Sequence, residues 1–217
     1  MAHTSAVIFL PDDRGKTGRD LPLMLCNIMG VPLLTWLAYA MAGRAVSRVF
    51  LVCHAAFGPM AKACFPQDLA VTCPDDQDMP AQLADFLGEV DPRELVTLVT
   101  GPAVMIDGPA DVPSWLTGAK SGVYTLDAKA LLAALDAQVS LLEFLRTRAL
   151  PQGIQEGVFA VTSSGDLAQW QGSVCRQALT RLARQGVEIW DLTNTYIEPT
   201  VKIASGTVIL PGTILRG

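Results

Sequence analysis

Residues 6–10 of this chain read Ala6-Val7-Ile8-Phe9-Leu10, an unbroken apolar run that ends at Pro11. A strand that is apolar at every position suits a parallel sheet, because helices cover both faces of such a sheet. Two similar runs follow, 49–52 and 95–99, the second interrupted only by Thr97, and the intervals between the runs hold segments of helical periodicity. Alternation of strands and helices with short loops predicts a doubly wound α/β sheet between helical layers.

The same patterns assign the rest of the α/β region. The predicted strands are 6–10, 49–52, 69–71, 95–99, 122–125 and 158–161. The predicted helices are 32–42, 55–64, 81–87, 127–135, 141–148 and 166–184, with Asp127 as an N-cap and Gly186 ending the last helix. In an open sheet of this kind the ligand lies beyond the carboxyl ends of the strands.

The last twenty or so residues follow a different period. Ile197, Ile203, Ile209 and Leu215 are spaced by six, and Val201, Thr207 and Thr213 repeat the same spacing. This pattern is typical of a hexapeptide-repeat parallel β-helix, in which about three repeats are needed to bury a stable interior. We therefore predict an α/β domain at 1–165, a linker helix at 166–186 and the start of a β-helix at 187–217. A stub this short must be covered by the α/β domain, by a second chain or by more of the same chain.

Composition excludes several classes of function. The chain has 217 residues, 50% of them hydrophobic and 17% charged, which is unlike a disordered protein. Its net charge of −5 argues against nucleic acid or an anionic membrane as a partner, and no apolar run reaches membrane-spanning length. The five cysteines are scattered, which predicts buried thiols in a cytoplasmic protein and neither a metal nor a redox site.

Both ends of the chain carry a more specific pattern. Residues 6–9, a polar loop, Asp20-Leu21-Pro22 and then 30–34 resemble the opening of the sugar-phosphate nucleotidyltransferases. Residues 186–191, followed by 195–197 and the hexapeptide run, are similar to the domain junction of the bacterial bifunctional N-acetylglucosamine-1-phosphate uridyltransferases. The resemblance implies a Rossmann-like, glycosyltransferase-A-like three-layer sandwich that leads into a left-handed β-helix. It also implies transfer of a uridyl group from UTP to a sugar 1-phosphate with Mg²⁺.

The phosphate-binding loop departs from that family. Where the family has G-x-G-T-R, this chain has Asp12-Asp13-Arg14-Gly15-Lys16, so both family glycines are missing and two carboxylates stand where phosphate would rest. Arg14, Gly15 and Lys16 remain the candidates for phosphate contact, with a polar loop held by local ion pairs as the alternative. Gln77 is the candidate for contact with the base.

The catalytic cation and the metal ligands of the family are also replaced. Leu23 follows the Leu-Pro pair where the family has a lysine, and Pro102 stands where the family aspartate binds Mg²⁺. Thr162 falls at the family asparagine, the second metal ligand. Where the family has the long segment that forms its sugar pocket, this chain has only residues 107–121, before the predicted strand 122–125. We assign no catalytic residue and no metal ligand, and we expect no cofactor.

Three functional hypotheses follow. The first is a catalytically degenerate nucleotidyltransferase, a pseudoenzyme that serves as a scaffold or a binder of a nucleotide or sugar phosphate, and that forms a homo-oligomer through its C-terminal stub. The second is an active transferase in which Asp12, Asp13 or Asp107 holds Mg²⁺. The third is an N-terminal appendage of a trimeric β-helix acyltransferase.

Overall fold

The computed structural model describes residues 5–16, 18, 20–74, 78–106, 122–136 and 157–217. The strands of the α/β region are β1 Ser5–Phe9, β2 Asn27–Ile28, β3 Val31–Pro32, β4 Arg48–Val52, β5 Ala70–Thr72, β6 Leu95–Val99, β7 Ala103–Met105, β8 Val123–Asp127 and β9 Val158–Ala160. The described helices are α1 Leu33–Ala42, α2 Gly58–Lys62, α3 Met79–Gly88, α4 Ala128–Asp136 and α5 Ser164–Arg184. Four short strands follow: β10 Glu188–Ile189, β11 Tyr196–Ile197, β12 Val208–Ile209 and β13 Ile214–Leu215.

The main sheet has five strands in the order β5-β4-β1-β6-β8. The first four are parallel, with Val7 of β1 paired to Phe50 of β4 and to Leu98 of β6. The continuous apolar run therefore lies in the central strand, with a parallel neighbour on each side, which confirms the prediction of a parallel sheet. β8 is the exception, because it pairs antiparallel to β6, with Val99 opposite Val123. An antiparallel neighbour needs no crossover helix, and the sequence pattern predicts none between these two strands.

Helices cover both faces of this sheet. Ala6 and Ile8 of β1 belong to one core cluster with buried residues of α1 and α2. Val7, between them in the chain, faces the opposite way and packs in a cluster with buried residues of α3 and α4. Because successive side chains of a strand point to opposite faces, one strand joins both cores. The arrangement is a three-layer α/β sandwich, which confirms the predicted fold class.

Helix α1 lies between two packing partners. Leu34 and Leu37 contribute to the core under the sheet, whereas Leu33 and Trp36 belong to a second cluster with α5. A helix that is apolar around most of its circumference is one that is buried on most sides. The helix ends at Gly43, immediately before the turn that leads into β4.

Helix α5 is capped at both ends. The Ser163 side chain accepts a hydrogen bond from the backbone N–H of Asp166, and the Asp166 carboxylate accepts one from the backbone N–H of Ser163. This reciprocal capping box begins the helix at Ser164. Gly186 follows the other end with φ of +89°, a left-handed conformation that favours glycine. Gly186 therefore ends the helix as predicted.

The C-terminal strands form two parallel ladders. Glu188 pairs with Val208 across β10 and β12, and Tyr196 pairs with Ile214 across β11 and β13. The four residues spaced by six lie in one apolar cluster, into which helix α5 inserts Cys175 and Leu179; they are Ile197, Ile203, Ile209 and Leu215. Within the described residues the cluster is covered by the linker helix, which the sequence analysis did not name as a covering, together with Met29 of the α/β domain, which it did. The left-handed β-helix stays a prediction.

Two local predictions have other outcomes. Asp127 is the last residue of β8 and pairs with Leu95, so the helix predicted from residue 127 begins at Ala128, and the cap assigned to Asp127 stays a prediction. The predicted helix 141–148 lies outside the described residues.

Candidate nucleotide site at the carboxyl edge of the sheet

Three loops meet at the carboxyl edge of the parallel strands. They are residues 10–16 after β1, residues 53–57 after β4, and residues 100–102 after β6. This is the edge at which open α/β sheets bind their ligands. The described residues of the phosphate-loop candidate therefore lie where the fold predicts a ligand.

Arg14 is already engaged within its own loop. Its Nε and Nη2 donate to the two carboxylate oxygens of Asp12, both at 2.7 Å, and its guanidinium lies 5.4 Å from the ring centroid of Phe57. The side-chain hydrogen bond from Arg14 is the main cause that lowers the pKa of Asp12. A bidentate pair of this kind occupies the guanidinium edge that a phosphate would use. The loop therefore resembles the ion-paired alternative more closely than an open anion site.

The other predicted contact residues contribute little to a pocket. A Cβ built on Gly15 would meet nothing within 4 Å, so no close approach of backbone requires a glycine there. The backbone of Lys16 ends a 3₁₀ turn that begins at Arg14. The side chain of Lys16 and the whole of Gln77 lie outside the described atoms.

Asp13 has a role that the sequence did not indicate. Its Oδ1 accepts a hydrogen bond from the backbone N–H of Leu23 at 2.9 Å, which ties the loop to the segment after Pro22. Its Oδ2 is buried, with no hydrogen-bond partner within the described part of the chain. A buried carboxylate oxygen in this position disfavours a neighbouring phosphate. The pairing joins residues ten apart through a loop, so no periodic pattern reveals it.

His54 is a capping residue of the second loop. Its Nδ1 accepts a hydrogen bond from the backbone N–H of Ala56 at 3.2 Å, and its ring lies 5.9 Å from that of Phe57. The imidazole thereby begins the 3₁₀ turn Ala55–Phe57. These contacts give His54 a structural part at this edge of the sheet.

The residues at which the resemblance places metal ligands, Pro102 and Thr162, make backbone and capping contacts. The carbonyl of Pro102 accepts a hydrogen bond from the backbone N–H of Val161 at 2.9 Å. The Thr162 hydroxyl donates to Asp166 Oδ2 at 2.7 Å, and the backbone N–H groups of Thr162 and Ser163 donate to the same oxygen. Burial acts to raise the pKa of Asp166, but these donors outweigh it and lower the pKa. The carboxylate at this junction is therefore used to begin helix α5.

No cluster of three or more His, Cys, Asp or Glu side chains within the described ranges is arranged to hold a metal ion. Asp107, the residue that the active-transferase hypothesis offers as a replacement ligand, lies outside those ranges. None of the helices in the part of the chain that the structure covers is both long and apolar enough to cross a membrane.

Comparison with known proteins supports the family resemblance. No family model matches the chain. The bifunctional protein GlmU of Alkaliphilus metalliredigens is 33% identical over 113 residues, which cover 45% of this chain and 25% of that protein. Those of Brevibacillus brevis and of an Exiguobacterium species are 40% and 43% identical over 62 and 51 residues, or 29% and 24% of this chain. The matches span at most a quarter of the length of these relatives.

A solved structure supports the fold. The inositol-1-phosphate CTP transferase from T. maritima superposes with a TM-score of 0.55 and 11% identity, and the match covers 80% of this chain and 97% of that one. At this level of identity the likeness concerns the fold alone. The chain is thus similar, over part of its length, to the bifunctional GlmU proteins, and its mixed α/β sandwich has the Rossmann-like fold of a nucleotidyltransferase.

Proposed function

We propose that this chain is a catalytically degenerate relative of the sugar-phosphate nucleotidyltransferases, which keeps the fold and has lost uridyl transfer. The observation that carries the proposal is the bidentate pair of Arg14 with Asp12 at the carboxyl edge of the sheet. Transfer of a nucleotidyl group builds negative charge on phosphate oxygens, and it needs preorganised cations at that point. Here the guanidinium in the candidate loop, that of Arg14, is already paired with the carboxylate of Asp12 in the same loop.

Two substitutions support the same conclusion. Leu23 is buried and apolar at the position where the resemblance places a catalytic lysine. Pro102 offers only a carbonyl at the position of a Mg²⁺ ligand, and that carbonyl already accepts the N–H of Val161. Loss of one fixed charge-stabilising group costs about 10²–10³ in rate. The combined losses are expected to leave no useful turnover.

The direct test measures pyrophosphate release from UTP and N-acetylglucosamine 1-phosphate with Mg²⁺. A bifunctional GlmU protein serves as the positive control. We expect no release above the enzyme-free background. Steady turnover by the purified chain, abolished by EDTA, would show that the chain is an active transferase with other ligands for phosphate and metal.

The role proposed in place of catalysis is that of a scaffold which associates with a second copy through its C-terminal segment. Among the described residues, six large apolar side chains are exposed, and five of these lie between positions 190 and 214: Trp190, Leu192, Val208, Leu210 and Ile214. Trp190 is 63% exposed, and the register of β10 with β12 places it beside Leu210.

Sedimentation velocity tests the association. We expect a concentration-dependent oligomer that Trp190→Gln combined with Leu210→Gln converts to a monomer. Met60→Gln is the matched control, because Met60 is the sixth exposed apolar side chain and lies on α2. A monomeric wild type, or equal effects of the two sets of substitutions, would exclude the scaffold role.

A further inference from the structure

A cleft lies between helix α1, helix α5 and the C-terminal segment, away from the carboxyl edge of the sheet. Its wider part has a volume of about 350 Å³ and is lined in part by Tyr39, Arg181, Gln185 and Lys202. Tyr39 is in the last turn of α1, whose end is joined to the first residue of β4 by residues 43–47. The cleft is therefore near the amino ends of the parallel strands, opposite the edge that carries Arg14.

A narrow apolar slot adjoins the cleft. The slot has a volume of about 30 Å³, and Tyr39, Ala178 and Arg181 line both spaces. Its walls include the buried side chains of Trp36 and Met105. The indole N–H of Trp36 donates to the carbonyl of Ile28, so the ring presents only apolar surface to the slot. A mostly apolar cavity with a few convergent polar groups, at a junction between structural units, is the usual form of a small-molecule site.

The charge at the mouth of the cleft is positive, although the whole chain is acidic. Arg181 donates from Nη1 to the Tyr39 carbonyl at 3.0 Å, and a guanidinium has five N–H donors in all. Lys202 is exposed on the opposite wall. These two cations converge on the same space from α5 and from the C-terminal segment.

One carboxylate also lines the cleft, but its charge is compensated. Glu198 is buried, and its Oε2 accepts a hydrogen bond from the backbone N–H of Gly217 at 3.2 Å. Its Oε1 accepts one from the hydroxyl of Tyr196 at 3.4 Å and lies 3.8 Å from Nε of Arg216. The net charge that remains for a ligand is therefore that of Arg181 and Lys202.

We propose that this cleft binds a small amphipathic acid, with the carboxylate at Arg181 and Lys202 and the apolar tail in the wider part, against Leu182, Val201 and Ile203. The pairing of two cations with an apolar lining favours this class over a neutral or cationic ligand with the same tail. The site is independent of nucleotidyl transfer, since it uses none of the residues at the carboxyl edge of the sheet. Its test therefore succeeds or fails separately from the proposed loss of catalysis.

The experiment titrates the full chain with sodium octanoate and, separately, with octylammonium chloride, and follows binding by calorimetry. We expect saturable binding of octanoate with a Kd below about 1 mM, and at least tenfold weaker binding of octylammonium. Equal binding of the two probes, or no saturable binding of octanoate, would overturn the proposal.

Variants locate the binding. Ala178→Trp is expected to abolish binding, because it fills the space common to cleft and slot, and Lys202→Glu is expected to weaken it at least about fivefold. Lys129→Glu is the control, since it makes the same charge change on the exposed face of α4. Circular dichroism verifies that each variant folds. If Ala178→Trp does not fold, the test rests on Lys202→Glu, which changes an exposed position. Octanoate binding that is unchanged in Lys202→Glu, or weakened equally by Lys129→Glu, would contradict the assignment.

Discussion

The guanidinium of Arg181 donates a hydrogen bond to the backbone carbonyl of Tyr39 at 3.0 Å, across 142 residues of sequence. Arg181 is in the last turn of α5, and Tyr39 is in the last turn of α1, where its carbonyl also accepts the backbone N–H of Gly43 at 3.1 Å. A cation at this position also complements the negative end of the helix dipole. The contact joins the linker helix to the α/β domain, and it defines one wall of the proposed acid site.

Gly43 tests this contact without removing the arginine. A Cβ at Gly43 would collide with the guanidinium of Arg181, although the backbone there is in the ordinary helical region. Gly43→Ala is expected to displace the guanidinium, the end of a flexible side chain, and to be about 1 kcal/mol less favourable to the free energy of unfolding than the same substitution at Gly88. Gly88→Ala, where an added Cβ meets nothing within 4 Å, is expected to be neutral or stabilising. Urea denaturation measures both.

A double-mutant cycle completes that test. In an Arg181→Met background the cost of Gly43→Ala should vanish, because no guanidinium remains to be displaced. A cost that persists in that background would show that Gly43 acts through its backbone alone.

Gly30 is predicted to fix how the turn after β2 packs on the C-terminal segment. Its φ is +92°, and a Cβ there would lie 3.0 Å from Oε1 of Glu198 and 3.3 Å from the hydroxyl of Tyr196. Gly30→Ala is therefore expected to lower stability by about 2–3 kcal/mol, from backbone strain plus the displaced pair. Gly206→Ala is the matched control, since its φ is +82° and nothing lies within 4 Å of its added Cβ.

The difference between these two variants isolates the contact from the strain. Gly206→Ala should cost only about 1 kcal/mol. Equal losses of stability in urea denaturation would mean that the Glu198–Tyr196 pair does not constrain the turn.

Asp166 gives the stability a predictable dependence on pH. Its pKa is lowered in the folded chain, since the hydrogen bonds from Thr162 and Ser163 outweigh burial, so its contribution is present above the ordinary pKa near 3.8. That contribution is lost as pH falls through the folded pKa. Asp166→Asn is expected to cost about 1–3 kcal/mol at pH 7, and the gap to wild type should narrow below about pH 4. Thermal unfolding between pH 2.5 and pH 7 is the measurement. A gap that stays constant across this range would contradict the assigned role of the carboxylate.

Asp12 is predicted to suppress anion binding at the carboxyl edge of the sheet. Asp12→Ala removes the carboxylate that pairs with Arg14 and one of the two negative charges in the loop. We expect pyrophosphate to raise the melting temperature of this variant and to leave that of the wild type unchanged. Asp91→Ala is the control, because that residue caps a turn before β6 and has no part in the loop. Equal responses of Asp12→Ala and wild type would show that the ion pair is not what closes the site.

Part of the candidate site could be read from residue identity. Pro102 has no side-chain oxygen and Leu23 no charge, so covalent chemistry alone keeps these side chains from serving as the metal ligand and the cation that the resemblance places there. The local pairing of Arg14 with Asp12 was also foreseeable, because residues two apart in a short turn remain close whatever surrounds them. The link from Asp13 to Leu23 was not, since it depends on how two irregular segments pack.

The sequence by itself determined the parallel core of the sheet and the common interior of the C-terminal segment. Strands and six-residue repeats place side chains at fixed intervals. The spacing of apolar residues therefore indicates which side chains face the same way before any tertiary contact forms. Only the tertiary structure decided that β8 runs antiparallel, that α5 covers the C-terminal ladders, and that Arg181 reaches Tyr39 beside a cleft. These relationships join segments far apart in the chain. Their geometry depends on packing between whole elements, which no local pattern encodes.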